Sequence, residues 1–281
     1  MTSVTTHTAA HHTAPDTFDQ IDFAGMYRAH LARAERTRKD ASAWDSRAAG
    51  MASKALRSRY AEEFVARMDL RGATSLLDVG CGPGTIGLAV AGQLQRVVGL
   101  DYSAAMLEAM HAKALEMQLG NVETLHRAWE GDWSDVPECD IVVASRSTNV
   151  EDIAGALERL HDKARLRVYL THLVGGHFTD PAIQTVIGRN VPSVPDYIYL
   201  VNLLHRQGIH PRLDYIAHEN RLAGAVDFDD FARRVAWSAG ALDADETERL
   251  CTWYEHATPQ QRQGEPMRWA FISWEKTPCR N

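Results

Sequence analysis

The chain has 281 residues, of which 45% are hydrophobic, 24% charged and 8% aromatic, an ordinary globular composition that excludes a largely disordered protein. A chain of this length buries roughly three quarters of its unfolded surface and needs no disulfide or metal staple, and no run approaches the roughly 18 consecutive apolar residues of a membrane span. The formal charge of −7 argues against a nucleic-acid partner. Cys81, Cys139, Cys251 and Cys279 have no paired spacing for zinc or a disulfide framework, so no metal site is expected. The opening residues lack the basic head and apolar core of a secretory signal. A soluble protein of the reducing cytoplasm is the expectation.

Residues 1–17 are rich in Thr, Ala and His, show no periodicity and read as a flexible tail. His7, His11 and His12 belong to that tail. Phe23, Met26, Tyr27, His30 and Leu31 recur at helical spacing and predict one apolar stripe. A second helical stretch is predicted from about Ala43 to Asp69, with Tyr60, Phe64 and Met68 on one face and a stop at Arg71-Gly72. Residues 18–72 therefore read as an N-terminal helical lid. Between Arg28 and Arg67, ten basic residues stand against five acidic ones, so this segment carries +5 and the remainder −12. It is either a solvated helix face or a lid that attracts an anionic ligand.

From Thr74 strands and helices alternate. Strands are predicted at Ser75–Val79, Arg96–Leu100, Val122–His126, Asp140–Ser145 and Leu166–Leu170. Helices are predicted between them at Thr85–Leu94, Ser103–Leu119 and Val150–Leu160. This alternation means right-handed crossovers and a doubly wound, mostly parallel α/β sheet. Further on, Asp180-Pro181 starts a helix that ends at Gly188, and Asp196 caps one over Tyr197–Gln207. Arg212–His218 and Met267–Glu275 read as strands, and Asp227–Ser238 and Asp243–His256 as helices. Residues 73–281 are thus one domain with helical insertions at about 171–210 and 227–256.

The stretch that carries chemistry is Leu77-Asp78-Val79-Gly80-Cys81-Gly82-Pro83-Gly84-Thr85. A glycine-rich turn between strand and helix lets backbone approach a ligand closely. The helix start behind it offers free N–H groups to an anion. Asp101 follows 17 residues after Gly84, at the end of the second strand, where an acid accepts hydrogen bonds from both hydroxyls of a ribose. The dinucleotide fingerprint shares this logic, but here the third glycine comes one residue early and position 85 is Thr.

The spacing D-x-G-x-G-x-G followed by G-x-D-x-S resembles the class I S-adenosylmethionine-dependent methyltransferases. Gly99-Leu100-Asp101-Tyr102-Ser103 through Met106 supports the resemblance independently. It implies S-adenosylmethionine as cofactor and a seven-stranded Rossmann-like sheet. It also implies a loop of Asp78, Gly80, Cys81, Gly82 and Gly84 at the methionine end, Asp101 at the ribose, and Tyr102 and Met106 at the base. Trp44-Asp45-Ser46-Arg47-Ala48 looks like a segment that closes over the cofactor in this family, although Met51 stands where Tyr is usual. Many relatives carry Gly-Asp-Ala after the third strand. This chain has Arg127-Ala128-Trp129-Glu130-Gly131, so Glu130 or the Trp129 backbone takes the place of that acid.

In open parallel sheets the ligand lies beyond the carboxyl ends of the strands. That places Arg146 and His172 at the acceptor, with Ser145 at the fourth-strand tip a candidate cofactor contact. Arg146 is a candidate partner for an anionic group, or else a surface arginine paired with Glu151 or Asp152. His172 is a candidate general base, or else a histidine bonded to loop backbone. Tyr27, His30, Trp44, Tyr197 and Tyr199 are candidate substrate contacts. No N-P-P-Y motif or catalytic cysteine follows the fourth strand, since Cys139 precedes it. The reading is methyl transfer to a small molecule, one with an anionic group. RNA or protein methylation and a non-catalytic cofactor-binding module remain as alternatives.

Overall fold

The computed structural model describes residues 17–34, 40–55 and 58–276, the side chains of 52–55 excepted. His7, His11 and His12, the basic residues Arg36, Arg38, Lys39 and Arg57, and Cys279 lie outside the described residues. After a 3-10 turn at Phe18–Gln20, α1 (Phe23–Arg33) starts where the Asp22 carboxylate accepts the Gly25 N–H. Its buried stripe is narrower than the spacing implies, because Tyr27 is fully buried while Met26 is half exposed. The stretch expected as one helix is three: α2 (Ala41–Asp45), α3 (Ala48–Ala55) and α4 (Arg59–Ala66). Chain turns at Ser46 and Arg47, and Ser58 starts α4 afresh by accepting the Ala61 N–H.

The alternating part follows as β1 (Ser75–Val79), α5 (Gly87–Val90), β2 (Arg96–Asp101), α6 (Ala104–Glu116), β3 (Val122–His126), β4 (Cys139–Ser145), α7 (Ile153–Lys163) and β5 (Ala164–Leu173). Helix α5 is a single turn, much shorter than Thr85–Leu94. Gly84, Gly87 and Gly92 are poor helix formers, and the Gly87 N–H is drawn to Asp78 Oδ2 at 2.9 Å. The rest is α8 (Pro181–Ile187), α9 (Tyr197–Arg206), β6 (Arg212–His218), α10 (Phe228–Ala239), α11 (Ala244–His256), α12 (Pro259–Gln263) and β7 (Met267–Glu275). Side chains of Asp180, Asp196, Asp227 and Asp243 cap the helices they precede. Helix α12 was not expected; a capping box between Thr258 and Gln261 forms it.

Among the described residues seven strands form one sheet in the order β3-β2-β1-β4-β5-β7-β6. Strands β1 to β5 run parallel, and β7 lies antiparallel between β5 and β6. Each face of the sheet has its own core. Tyr27, Leu77, Trp129, Leu157 and Leu200 belong to one, which α1, α7 and α9 cover. Phe64, Leu76, Leu88 and Met110 belong to the other, under α4, α5 and α6. The fourth helix is therefore a core helix, fixed by Tyr60, Ala61 and Phe64. A satellite core joins Ile183 and Ile187 of α8 to Phe231, Val235 and Leu250 of α10 and α11. The segment expected as an insertion at 171–210 thus begins after Leu173, and α9 within it belongs to the main core. Among the described residues no helix is long and apolar enough to cross a membrane, and no cluster of His, Cys, Asp or Glu is arranged to hold a metal.

Candidate functional site

At the end of β1 the chain turns through Gly80, Gly82 and Gly84, whose φ values of +66°, +53° and +83° lie in the left-handed region that side chains rarely enter. The turn hangs from β2. The Gly80 and Cys81 N–H groups donate to the Leu100 carbonyl at 2.7 and 3.1 Å, and Gly82 N–H donates to Asp101 Oδ2 at 2.9 Å. Ser103 N–H donates to Asp101 Oδ1, also at 2.9 Å. Each oxygen of this buried carboxylate is oriented by one backbone donor and keeps accepting capacity for a ligand. Burial raises the Asp101 pKa.

Asp78 is the deeper acid. Its Oδ2 accepts from Gly87, while its Oδ1 is buried with no partner. Burial pushes its pKa up to about 7. An unmatched acceptor beside a glycine cradle fits a cationic ligand group, because the cation supplies the charge that burial makes expensive. Cys81 is buried with its thiol on the Gly82 carbonyl, and burial pushes its pKa up, so it stays a thiol that packs. Met106 lies beneath the loop, its Sδ 4.0 Å from where a Gly82 Cβ would stand. Tyr102 is half-buried beside Asp101, and its carbonyl accepts from His126 at 2.9 Å.

The remaining expected contacts divide. Trp129 is buried and stacked on Trp133 at 5.5 Å, and Arg159 donates to its carbonyl, so that carbonyl is already engaged. Glu130 is exposed. Asp45 Oδ1 accepts from the Ser103 hydroxyl at 2.5 Å, while Trp44 and Arg47 both contact Trp237. The Trp44 segment therefore spans from the N-terminus of α6 to α10. Tyr27, His30 and Tyr199 are brought together: the Tyr27 and Tyr199 rings lie 5.7 Å apart, and His30 bonds Tyr199 and Ser193, each at 3.2 Å. The buried Tyr27 hydroxyl has no partner. Tyr197 stands apart from them, its hydroxyl 2.7 Å from that of Tyr215.

Beyond β4 and β5 the polar groups form a tight network. Tyr60, fully buried, places its hydroxyl 2.8 Å from Ser145 Oγ and 2.7 Å from Thr171 Oγ1, thereby joining neighbouring strand tips. Arg146 follows with φ +57°, held by its N–H donating to Thr171 Oγ1 at 3.0 Å. Its guanidinium lies 4.2 Å above the Tyr60 ring. No ion pair engages it among the described residues; Asp152, one of its expected partners, caps α7 instead. Arg146, Asn149, Phe178 and Trp269 help line a small cavity of about 20 Å³, room for one water. Asn149 Oδ1 is buried there without a partner.

His172 does not present a free base. It is 3% exposed. Its Nε2–H donates to the Pro195 carbonyl at 3.0 Å, which leaves Nδ1 to accept from the Thr148 hydroxyl at 2.8 Å. Burial pushes its pKa down to about 4, so the ring is neutral with both nitrogens engaged. His218 is similarly occupied, between the Trp269 indole N–H at 2.9 Å and the Glu219 carbonyl at 2.7 Å. The sequence places Thr171 at this end, as the fifth-strand tip beside His172, but does not reveal Tyr60 and Trp269 as parts of it. Tyr60 was visible only as one member of a helical stripe, and its hydroxyl partner Thr171 lies 111 positions away.

A family model described as a methyltransferase domain matches residues 76–165, the run from β1 to the start of β5. A protein of Haemophilus influenzae described as uncharacterized is 34% identical over 265 residues, covering 92% of this chain and 98% of its own length. The trans-aconitate 2-methyltransferase of Paracidovorax citrulli is 37% identical over 49% of this chain and 48% of its own length, so this match spans about half of that relative. Among solved structures, the YcgJ protein from Bacillus subtilis superposes with a TM-score of 0.55 at 16% identity, over 77% of this chain and 97% of its own. The plantazolicin methyltransferase BamL, solved with SAH, gives 0.52 at 14% identity, over 91% and 100%. At such identities these two structures speak to the fold.

Proposed function

The chain belongs to the class I S-adenosylmethionine-dependent methyltransferases, and from that premise we propose that it methylates a small molecule that carries an anionic group. The bound cofactor supplies an electrophilic methyl group on a sulfonium. The Gly80–Gly84 turn holds the methionine end, and Asp78, with its unmatched Oδ1, faces the cationic part of the ligand. Asp101 accepts from the ribose hydroxyls, Tyr102 and Met106 flank the base, and Glu130 serves its edge.

The single observation that carries the acceptor assignment is Arg146. An exposed guanidinium at the β4 tip, lying on the Tyr60 ring, matched by no carboxylate among the described residues and bordering a cavity, favours a ligand that brings its own negative charge. A carboxylate is already ionised at neutral pH. Alignment and exclusion of water then do most of the catalysis, which accords with an engaged His172. The name of the Paracidovorax citrulli relative, trans-aconitate 2-methyltransferase, agrees with an acid as acceptor.

The test is incubation with methyl-labelled S-adenosylmethionine and a panel of small carboxylic acids, trans-aconitate included, beside their uncharged amides. Label is expected in one or more acids and in no amide. Label only in uncharged acceptors removes the anionic group from the proposal, and cofactor binding with no transfer at all leaves the binding-module reading.

A further inference from the structure

We infer that Tyr60 is the positioning residue for the acceptor's anionic group, acting on it through Arg146; the inference rests on the acceptor reading above. Both constraints on Arg146 trace back to this phenol. Its ring is the surface on which the guanidinium lies, 4.2 Å from the centroid. Its hydroxyl bonds Thr171 Oγ1, the atom that accepts the Arg146 N–H and so helps to hold a non-glycine residue in the left-handed region. One proton order satisfies the whole chain: Arg146 N–H to Thr171, Thr171 O–H to Tyr60, and Tyr60 O–H to Ser145.

The phenol is itself fixed from several sides. Its ring meets His218 at 5.5 Å and Trp269 at 6.3 Å edge-on, and tilts against Phe64 at 6.2 Å. A guanidinium on a flexible stem loses much rotamer freedom when it grips a carboxylate, and a preset position removes part of that loss. Helix α4 thereby reaches the site from outside the alternating strand–helix part of the chain. The residue acts on selectivity for charge, and the hydrogen bonds that orient Asp78, Asp101 and the glycine turn do not run through it.

Four proteins decide the matter: wild type, Arg146→Gln, Tyr60→Phe and Tyr60→Leu. Each is titrated calorimetrically with S-adenosylhomocysteine, and then, at its saturation, with trans-aconitate and separately with its uncharged trimethyl ester. Wild type is expected to prefer the acid to the ester. Tyr60→Leu should lose trans-aconitate affinity at least tenfold and Tyr60→Phe a few-fold, since the ring is kept. Affinities for S-adenosylhomocysteine and for the ester should stay within twofold. If Tyr60→Leu does not fold, Thr171→Val, which removes the acceptor of the Arg146 N–H, replaces it with the same expectation. Loss of trans-aconitate in Arg146→Gln with full retention in the Tyr60 or Thr171 variants overturns the inference and spares the acceptor reading. Retention in Arg146→Gln, or no preference of wild type for trans-aconitate or any other acid of the panel over its uncharged counterpart, overturns both.

Discussion

The tips of β1 and β2 and the tips of β4 and β5 handle buried polar groups in opposite ways. At the first pair, Asp78 and Asp101 are buried acids whose pKa values rise, and Asp78 keeps one oxygen with no partner. At the second pair, Tyr60, Ser145, Thr148, Thr171 and His172 bond one another or nearby carbonyls, and Arg146 is left with a ring for company. One end is destabilised by what it lacks, which is what we propose a cationic nucleoside ligand supplies. The other is a rigid frame around a single charge. The first end offers a ligand an unmet acceptor, and the second offers it a positioned charge.

Substitution of Gly80 separates the two most severely. An Ala Cβ would lie 2.3 Å from Ser147 Cβ, at φ +66°. Gly80→Ala should therefore lose about 5 kcal/mol from left-handed strain plus displacement of the loop after β4. Gly72 is the control, with φ +73° and nothing within 4 Å. Gly72→Ala should lose only about 1–2 kcal/mol, and equal losses in urea unfolding would show that the two strand tips do not touch as described.

Titration opposes the two ends directly. Asp78 ordinarily titrates at 3.8 and in the fold near 7, so between these values the unfolded chain has lost a proton that the folded chain keeps. Stability from this group falls as pH rises from about 4 to 7. His172 ordinarily titrates at 6.5 and in the fold near 4, so its contribution falls as pH drops from about 6.5 to 4. Each shift corresponds to about 3–4 kcal/mol, and over the shared range they offset one another. Asp78→Asn should be more stable than wild type at pH 8, yet lose stability on acidification and bind cofactor more weakly. In His172→Gln, acidification from pH 7 to 4.5 should instead increase stability. Parallel pH profiles for the two variants would break the comparison.

A smaller effect belongs to the satellite core. Arg189 binds both oxygens of Glu246 at 2.5 Å and the carbonyls of Ala239 and Ala241 at 2.6 Å. This arginine holds the Glu246 pKa down to about 2, so the contribution persists above the usual glutamate range and is lost as pH falls through 2. Arg189→Ala should cost about 1–2 kcal/mol, since the pair is partly solvated. Cofactor affinity should not change, and a change of tenfold would tie α10 and α11 to the cofactor end.

The same contrast explains what the sequence reveals. The first end is legible because its parts are local: three glycines in five residues, an acid at the end of the next strand, and Ser103 capping the next helix. Asp180, Asp196, Asp227 and Asp243 announce their helices in the same local way. Periodicity overextends where caps interrupt it, at Ser58, and where glycines and a carboxylate shorten a helix, at Gly87. The second end depends on pairs far apart in the chain. Of the two readings of His172, base or histidine bonded to loop backbone, the structure supports the second, because the Pro195 carbonyl takes its Nε2–H. Nothing local marks Arg146 as left-handed or tells Tyr60 that Thr171 is its partner.

The most direct measurement is a calorimetric titration of S-adenosylhomocysteine into wild type and Asp101→Ala. Wild type should bind one molecule per chain, and the variant should bind about 30–150-fold more weakly, because two ribose hydroxyls lose a charged acceptor worth ~2–3 kcal/mol. Equal affinity in the two proteins, or no binding by wild type, would contradict the assignment of this end of the sheet to the cofactor.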